Sequence, residues 1–310
     1  MTTRALRQSR TVVPVDAGLA FGRPAISYPV KNRVGEAPCW NDHNGLLQWI
    51  DVRGQLLLSL DPRSNQVSQW ALPEPVGALC VCASNRVWLA LRHSIVEFDT
   101  ETGVMELVAK VECDRDSNRL NDGKVSPSGQ WFVFGSMDDR AIKEQVGALY
   151  CASVTGQIRR LFEGLTVSNG IAWSPDAKTL YFSDSARGIV MRAAWDEERG
   201  EMTSSPSVMA WLGEEQGRPD GAITDCLGNY WSAGVSAGCL NEISPDGLLL
   251  KSTPLHCQAP TMPAFGGGDA GTMYVTSLVR PHWESPGIHD GALLAFASPT
   301  TGALLPVFKA

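Results

Sequence analysis

A chain of 310 residues with 44% hydrophobic and 19% charged residues can build one large core, and no stretch reaches the roughly 18 to 20 apolar residues of a membrane helix. Its formal charge of -7, with scattered lysines and arginines, excludes a nucleic-acid partner, because phosphate binding needs a basic face. Eight cysteines without C-x-x-C spacing, in a chain that opens on no apolar leader, read as reduced and packed thiols of a cytoplasmic protein.

Residues 1–20 carry Arg4, Arg7 and Arg10 without a regular apolar pattern and read as a flexible tail ahead of a single domain over 21–310. From Glu36 onward one unit recurs: a short apolar strand, a Gly/Asn/Asp turn and an aromatic-rich strand. The copies are "EAPCWNDHNGLLQWIDV" from Glu36, "GALCVCASNRVWLALR" from Gly77, "NDGKVSPSGQWFVFGS" from Asn121, "NGIAWSPDAKTLYFSDS" from Asn169, "DGAITDCLGNYWSAGVS" from Asp220 and "MPAFGGGDAGTMYVTSL" from Met262. Their starts lie roughly 41 to 51 residues apart, the period of a four-stranded propeller blade. Outer hairpins fit between the copies, and "GALLAFASPTTGALLPVF" at the end completes the sixth blade. Residues 25–30 then pair with that blade and close the ring. The predicted fold is all-β: a six-bladed β-propeller with four-stranded blades around a central channel.

Stacked without gaps, the copies place Glu36, Gly77, Asn121, Asn169, Asp220 and Met262 at one register, just before each innermost strand. In a propeller those positions ring one end of the channel, and the side-chain oxygens of Glu36, Asn121, Asn169 and Asp220 suit a hard or borderline divalent cation. Asn-Gly and Asp-Gly are also plain turn pairs, so Asn169-Gly170 and Asp220-Gly221 alone prove little. Glu36 is followed by Ala37 and Pro38, which does not read as a left-handed turn, yet it brings an acid to the same register.

The runs "VGEAPCW", "RLNDGKVSPSGQWFVFGSMD", "VSNGIAWSPDAKTLYFSDS", "RPDGAITDCLGNYWSAG" and "PAFGGGDAGTMYVTS" resemble, in order, the markers of the family that includes gluconolactonase, regucalcin and luciferin-regenerating enzyme. The resemblance implies a six-bladed propeller, one catalytic divalent metal ion and hydrolysis of a sugar lactone. It implies Glu36, Asn169 and Asp220 as metal ligands, and Arg119 and Asn121 as substrate contacts. An acid after "GSM" is also implied, where Asp138 and Asp139 both qualify and Asp139 is preferred. The family usually has Gly where this chain has Ala37. Calcium, zinc, manganese, magnesium and iron all occur in it, so the metal stays open.

A lactone is an internal ester, so a metal at the ring would polarise its carbonyl while Asp220 acts as general base and Arg119 orients the sugar. The rival reading is a non-enzymatic metal-binding propeller serving as a regulator or interaction platform. Asp184 in "FSDS" reads as a support behind the ligands or, in preference, as a turn residue. Gly234–Gly238 spells G-x-S-x-G, but a strand follows it where a nucleophile elbow needs a helix. His282 and Trp283 read as a surface loop.

Overall fold

The computed structural model describes residues 4–83 and 85–310, and among them every regular element is a strand. The strands form six antiparallel sheets, built on up-and-down meanders of consecutive strands except where amino-terminal strands join the first and the sixth. The innermost strands are Gly35–Asn41, Ala78–Val81, Asn118–Val125, Ser168–Trp173, Pro219–Thr224 and Pro260–Gly266. This is the expected six-bladed propeller.

The apolar alternation along each blade serves the gaps between blades. Six buried clusters each join two neighbours: Ile50 and Leu57 with Val87 and Leu89 between the first and second blades, for example, and Val133 and Leu149 with Ile171 and Leu180 between the third and fourth. Inner strands are enclosed on both faces, and Asn118–Val125 is buried throughout, whereas the outermost Met105–Lys110 holds no buried residue. Four-stranded sheets stacked face to face around an axis need this burial on inner and middle strands only.

Closure uses the amino-terminal segment. Arg23–Tyr28 pairs with Leu293–Ala297, with Ala25 opposite Phe296 and Tyr28 opposite Leu293, so the last blade takes its fourth strand from the start of the chain. Two further strands extend outward: Val15–Ala20 on Arg23–Tyr28, and Arg7–Thr11 on Gln66–Ala71 of the first blade. The described part of the expected tail is therefore ordered sheet. Its Arg7–Thr11 stretch is exposed at every residue and is held by backbone pairing, by the Arg7 guanidinium on Ser68 Oγ (2.8 Å) and by its stacking over Trp70. Hydropathy carries no trace of such an edge strand. Residues 1–3 of that segment lie outside the described residues.

At the other terminus only Leu293–Ala297 joins the sixth blade. The segment after it leaves the sheet, and Phe308 reaches the second blade, where its amide donates to Val81 O at 2.8 Å.

Candidate functional site

The ring residues sit on distortions of the inner strands. Pairing slips by a residue between Glu36 and Cys39, Asn121 and Gly123, Asn169 and Ala172, and Pro219 and Ala222. Such bulges re-aim side chains that regular pleating would send into a blade face. The residue after the ring position is left-handed in three copies: Ala37 at φ 50°, Asp122 at 47° and Gly170 at 64°. The reading that Glu36-Ala37 lacks left-handed backbone is thus corrected: the bulge imposes it although Ala is not built for it. The second blade has Gly77 at this register because a Cβ there would lie 2.0 Å from Leu120 O.

Carboxylates behind the ring hold the bulges in place. Asp51 accepts the amides of Arg33 (2.8 Å) and Val34 (2.9 Å), the residues leading into Glu36. Asp184 does the same for Thr166 (2.9 Å) and Val167 (3.1 Å), leading into Asn169. Asp184 also accepts the Ala186 amide of its own turn at 3.2 Å, so both readings of it hold.

The sequence-predicted residues from the third and fourth blades form one hydrogen-bonded line. Arg119 Nε donates to Asp139 Oδ1 at 3.3 Å, and its Nη1 donates to Asn121 Oδ1 at 2.6 Å. Asn121 Nδ2 then donates to Asn169 Oδ1 at 3.0 Å. Asn169 Nδ2 donates to Ser185 Oγ (2.7 Å), whose own proton goes to Pro219 O at 2.5 Å in the fifth blade. Of the two candidate acids after "GSM", Asp139 joins this line. Asp138 is fully buried, with Arg140 Nη2 at 2.8 Å and the Glu144 amide at 2.7 Å.

Glu36 and Asp220 complete the group through charge. Burial, then the nearby charges of Asp220 and Asp122, push the Glu36 carboxyl well above the usual range. Asp220 is 7% exposed; burial and the Asp122 charge push it up to about 8 against the pull of Arg218, Arg280 and Arg119. Asp122 itself is raised by burial, with Lys124 and the amides of Ile171 and Gly123 working the other way. Burial lowers Arg119 to about 10 and Lys124 to about 8. Asp122 and Asp220 are buried and Glu36 is half-buried beside them, and carboxylates crowded beyond their cationic partners are the donor chemistry a divalent cation satisfies. Among the described residues no three His, Cys, Asp or Glu gather as a metal cluster, and the expected ligands Glu36, Asn169 and Asp220 are two carboxylates and an amide.

Sequence reasoning missed Asp51, Asp122, Arg53 and Arg92. Asp122 stood in plain view beside Asn121. Arg53 Nη2 and Arg92 Nη1 bind Asp139 at 2.5 and 2.9 Å. Arg53, Arg92 and Asp139 each follow the second strand of their own blade, the one available signal. The G-x-S-x-G run is a hairpin turn between Tyr230–Gly234 and Cys239–Ile243, and His282 is exposed, as read from the sequence.

Residues 34–279 match the family described as SMP-30/Gluconolactonase/LRE-like region. The chain is 33% identical to 6-deoxy-6-sulfogluconolactonase of Pseudomonas putida over 244 residues, covering 79% of this chain and 83% of that protein. It is 30% identical to regucalcin of Xenopus laevis over 250 residues, with the same coverage. Its fold superposes on a calcium-binding protein, regucalcin, from Agrobacterium tumefaciens with a TM-score of 0.86 and 27% identity, covering 91% of this chain and 96% of that one. A luciferin-regenerating enzyme gives 0.83 at 25% identity, covering 96% and 100%.

Proposed function

The chain belongs to the SMP-30/gluconolactonase/LRE-like family, and on that premise we propose that it is a divalent-metal-dependent hydrolase that opens a sugar lactone to its aldonic acid. The observation that carries this reading is the line from Asp139 through Arg119 and Asn121 to Asn169. It sets the Arg119 Nη2 donors and the Asn121 amide oxygen against the candidate ligand group, and ion binding alone needs neither. The relative named as a sulfogluconolactonase supports the reaction class, and the structural neighbour described as calcium-binding supports the metal.

A cation held by Glu36, Asn169 and Asp220 supplies, when bound, Lewis-acid polarisation and a more acidic water. Arg119 and Asn121 hold the sugar hydroxyls and fix the ring against the mouth of the channel. Asp220 takes the proton of the attacking water as the new bond forms at the carbonyl carbon. It returns that proton to the ring oxygen as the acyl C–O bond breaks. Asp139 keeps the Arg119 guanidinium in place.

The test joins elemental analysis of the purified protein to a pH-stat panel of pentonolactones and hexonolactones, with and without chelator. Turnover that chelator abolishes, and that Glu36→Gln and Asp220→Asn remove together with the metal, is expected. Full activity and metal content in both variants would sink the assignment. A second reading, a calcium-binding propeller without turnover, is favoured by the description of the Agrobacterium tumefaciens protein. Stoichiometric metal with no lactone opened would select it.

A further inference from the structure

Asp139 is one carboxylate shared by three guanidiniums: Arg53 Nη2 and Arg119 Nε on Oδ1 at 2.5 and 3.3 Å, and Arg92 Nη1 on Oδ2 at 2.9 Å. Burial alone would raise its pKa, but hydrogen bonds from Arg53 and Arg92 and the charge of Arg119 hold it below the usual range, so it stays ionised. One negative charge then faces three positive ones. Lys143 adds a fourth nearby: its ammonium donates to Asp138 O and Arg140 O, and burial, then Arg119, lower its pKa.

The three arginines are not equivalent. The Arg119 side chain is 9% exposed and points along the line to Asn121, whereas Arg92 and Arg53 are 29% and 46% exposed; Arg92 also gives Nη2 to Asp116 O at 3.1 Å, and each keeps N–H groups beyond those bonds. Arg53 also lines an open cavity of about 1030 Å³ with Lys31, Arg33, Val279, Pro281 and Ile288. Among the described residues neither Lys31 nor Arg33 is ion-paired. The one acid there, Asp290, already accepts from Gln258 N, Gln258 Nε2 and Gly287 N. A salt bridge that only braced the fold would need one arginine, and two more add repulsion. Forked guanidiniums with unused donors at the mouth of a polar site match an oxyanion.

We infer that Arg53 and Arg92 form a subsite for an anionic substituent, a phosphate, sulfonate or carboxylate group, carried by the substrate at the end remote from the lactone carbonyl. The inference rests on the lactone-hydrolase reading for what the rest of the ligand is. Asp139 fixes the two guanidiniums beside Arg119, so one molecule spans the ring contacts and the rim.

The experiment has a kinetic arm and a binding arm. In the first, kcat/KM is measured for a hexonolactone and for its 6-phosphate, 6-sulfonate and 6-carboxylate counterparts, in the wild-type protein and in Arg53→Gln, Arg92→Gln and the double variant. A preference for one charged lactone over the neutral one is expected, which falls about tenfold in each variant, chiefly through KM, and fades from about 0.05 to about 0.5 M salt. Which of the three leads identifies the group. In the second, calorimetry compares the open-chain hexonic acid with and without the same groups, so no turnover is needed. Tighter binding of the acids that carry the additional group, lost in the double variant and restored toward wild type by Arg53→Lys, supports the subsite even if no lactone is opened. Equal binding of the substituted and unsubstituted acids to the wild-type protein overturns it, even if unsubstituted lactones are hydrolysed.

Discussion

Asn121 and Asn169 are locked amide to amide: Nδ2 of Asn121 donates to Oδ1 of Asn169 at 3.0 Å, while Arg119 Nη1 holds Asn121 Oδ1 and Ser185 Oγ takes the Asn169 nitrogen. Both orientations are thereby set, and Asn169 keeps a second lone pair for a cation. Asn121→Leu removes the partner of three buried polar groups at once, Arg119 Nη1, Ser168 O and Asn169 Oδ1, a loss of at least roughly 1 to 3 kcal/mol. Expressed as transition-state binding, kcat/KM falls by about ten- to a hundredfold. Steady-state kinetics on the lactone with highest turnover checks it, and an unchanged kcat/KM would refute the coupling.

Much of this arrangement is legible in the sequence because blade repeats are built from local signals. Turn residues and aromatic strands recur at a blade period, and stacking the copies selects Glu36, Asn121, Asn169 and Asp220 without any view of the fold. Two things are hidden. Ala37 adopts φ 50° although its side chain gives no hint of it, since the bulge and the Asp51 clamp impose the conformation from outside. Arg53 and Arg92 come from the two blades before that of Asp139 and meet it only because the ring curves, and their shared place after the second strand of each blade is the one trace of this in the sequence.

Ala37 offers a direct test of that imposed backbone. Left-handed geometry costs a non-glycine residue about 1 to 2 kcal/mol, and glycine escapes this at an entropic cost of roughly 0.5 to 1. Ala37→Gly therefore stays within about 1 kcal/mol of wild type in urea unfolding, whereas β-branched Ala37→Val loses more than that and blunts the thermal shift produced by metal. Equal stability of the two variants would deny the strain.

Asp138 gives a pH signature separate from the ring. Its carboxylate is held well below the ordinary range, first by Arg140 and then by backbone amides, against the opposing effect of burial. A depressed folded value means the stabilisation is fully present above the unfolded value of about 3.9 and is lost as pH falls below it. Asp138→Asn is expected to cost about 1.5 to 3 kcal/mol at neutral pH. That gap should close progressively in urea titrations below about pH 4, and a gap independent of pH would contradict the account.

Thiol chemistry reports on blade packing. All eight cysteines are free, with Cys113 and Cys226 exposed and the others buried. Burial pushes Cys39 up to about 11 and Cys151 and Cys257 up to about 12. Since the thiolate is the reacting form, a thiol reagent at neutral pH should titrate Cys113 and Cys226 rapidly and the rest only after denaturation. Fast labelling of Cys151 or Cys257, located by peptide mass mapping, would show that the blades open.

The carboxy-terminal segment predicts a separation of stability from activity. Phe308 is fully buried between the second and third blades, edge-on to Trp88 at 4.8 Å and near Phe132 at 6.4 Å. The Lys309 amide donates to Gly129 O at 2.9 Å, so a segment leaving the sixth blade ties two distant ones together. Leu304 and Leu305 on the way line a cavity of about 360 Å³ with Trp40, Trp173 and Phe265. Those residues lie at the ends of inner strands whose beginnings carry the ring positions, so the strap covers the opposite mouth of the channel. Phe308→Ala leaves a cavity in this packing and should cost about 3 to 5 kcal/mol, lowering the melting temperature. With the ring untouched, kcat/KM measured well below the melting transition should stay within about twofold of wild type. A matching loss of kcat/KM at that temperature would mean the two ends of the channel are mechanically coupled.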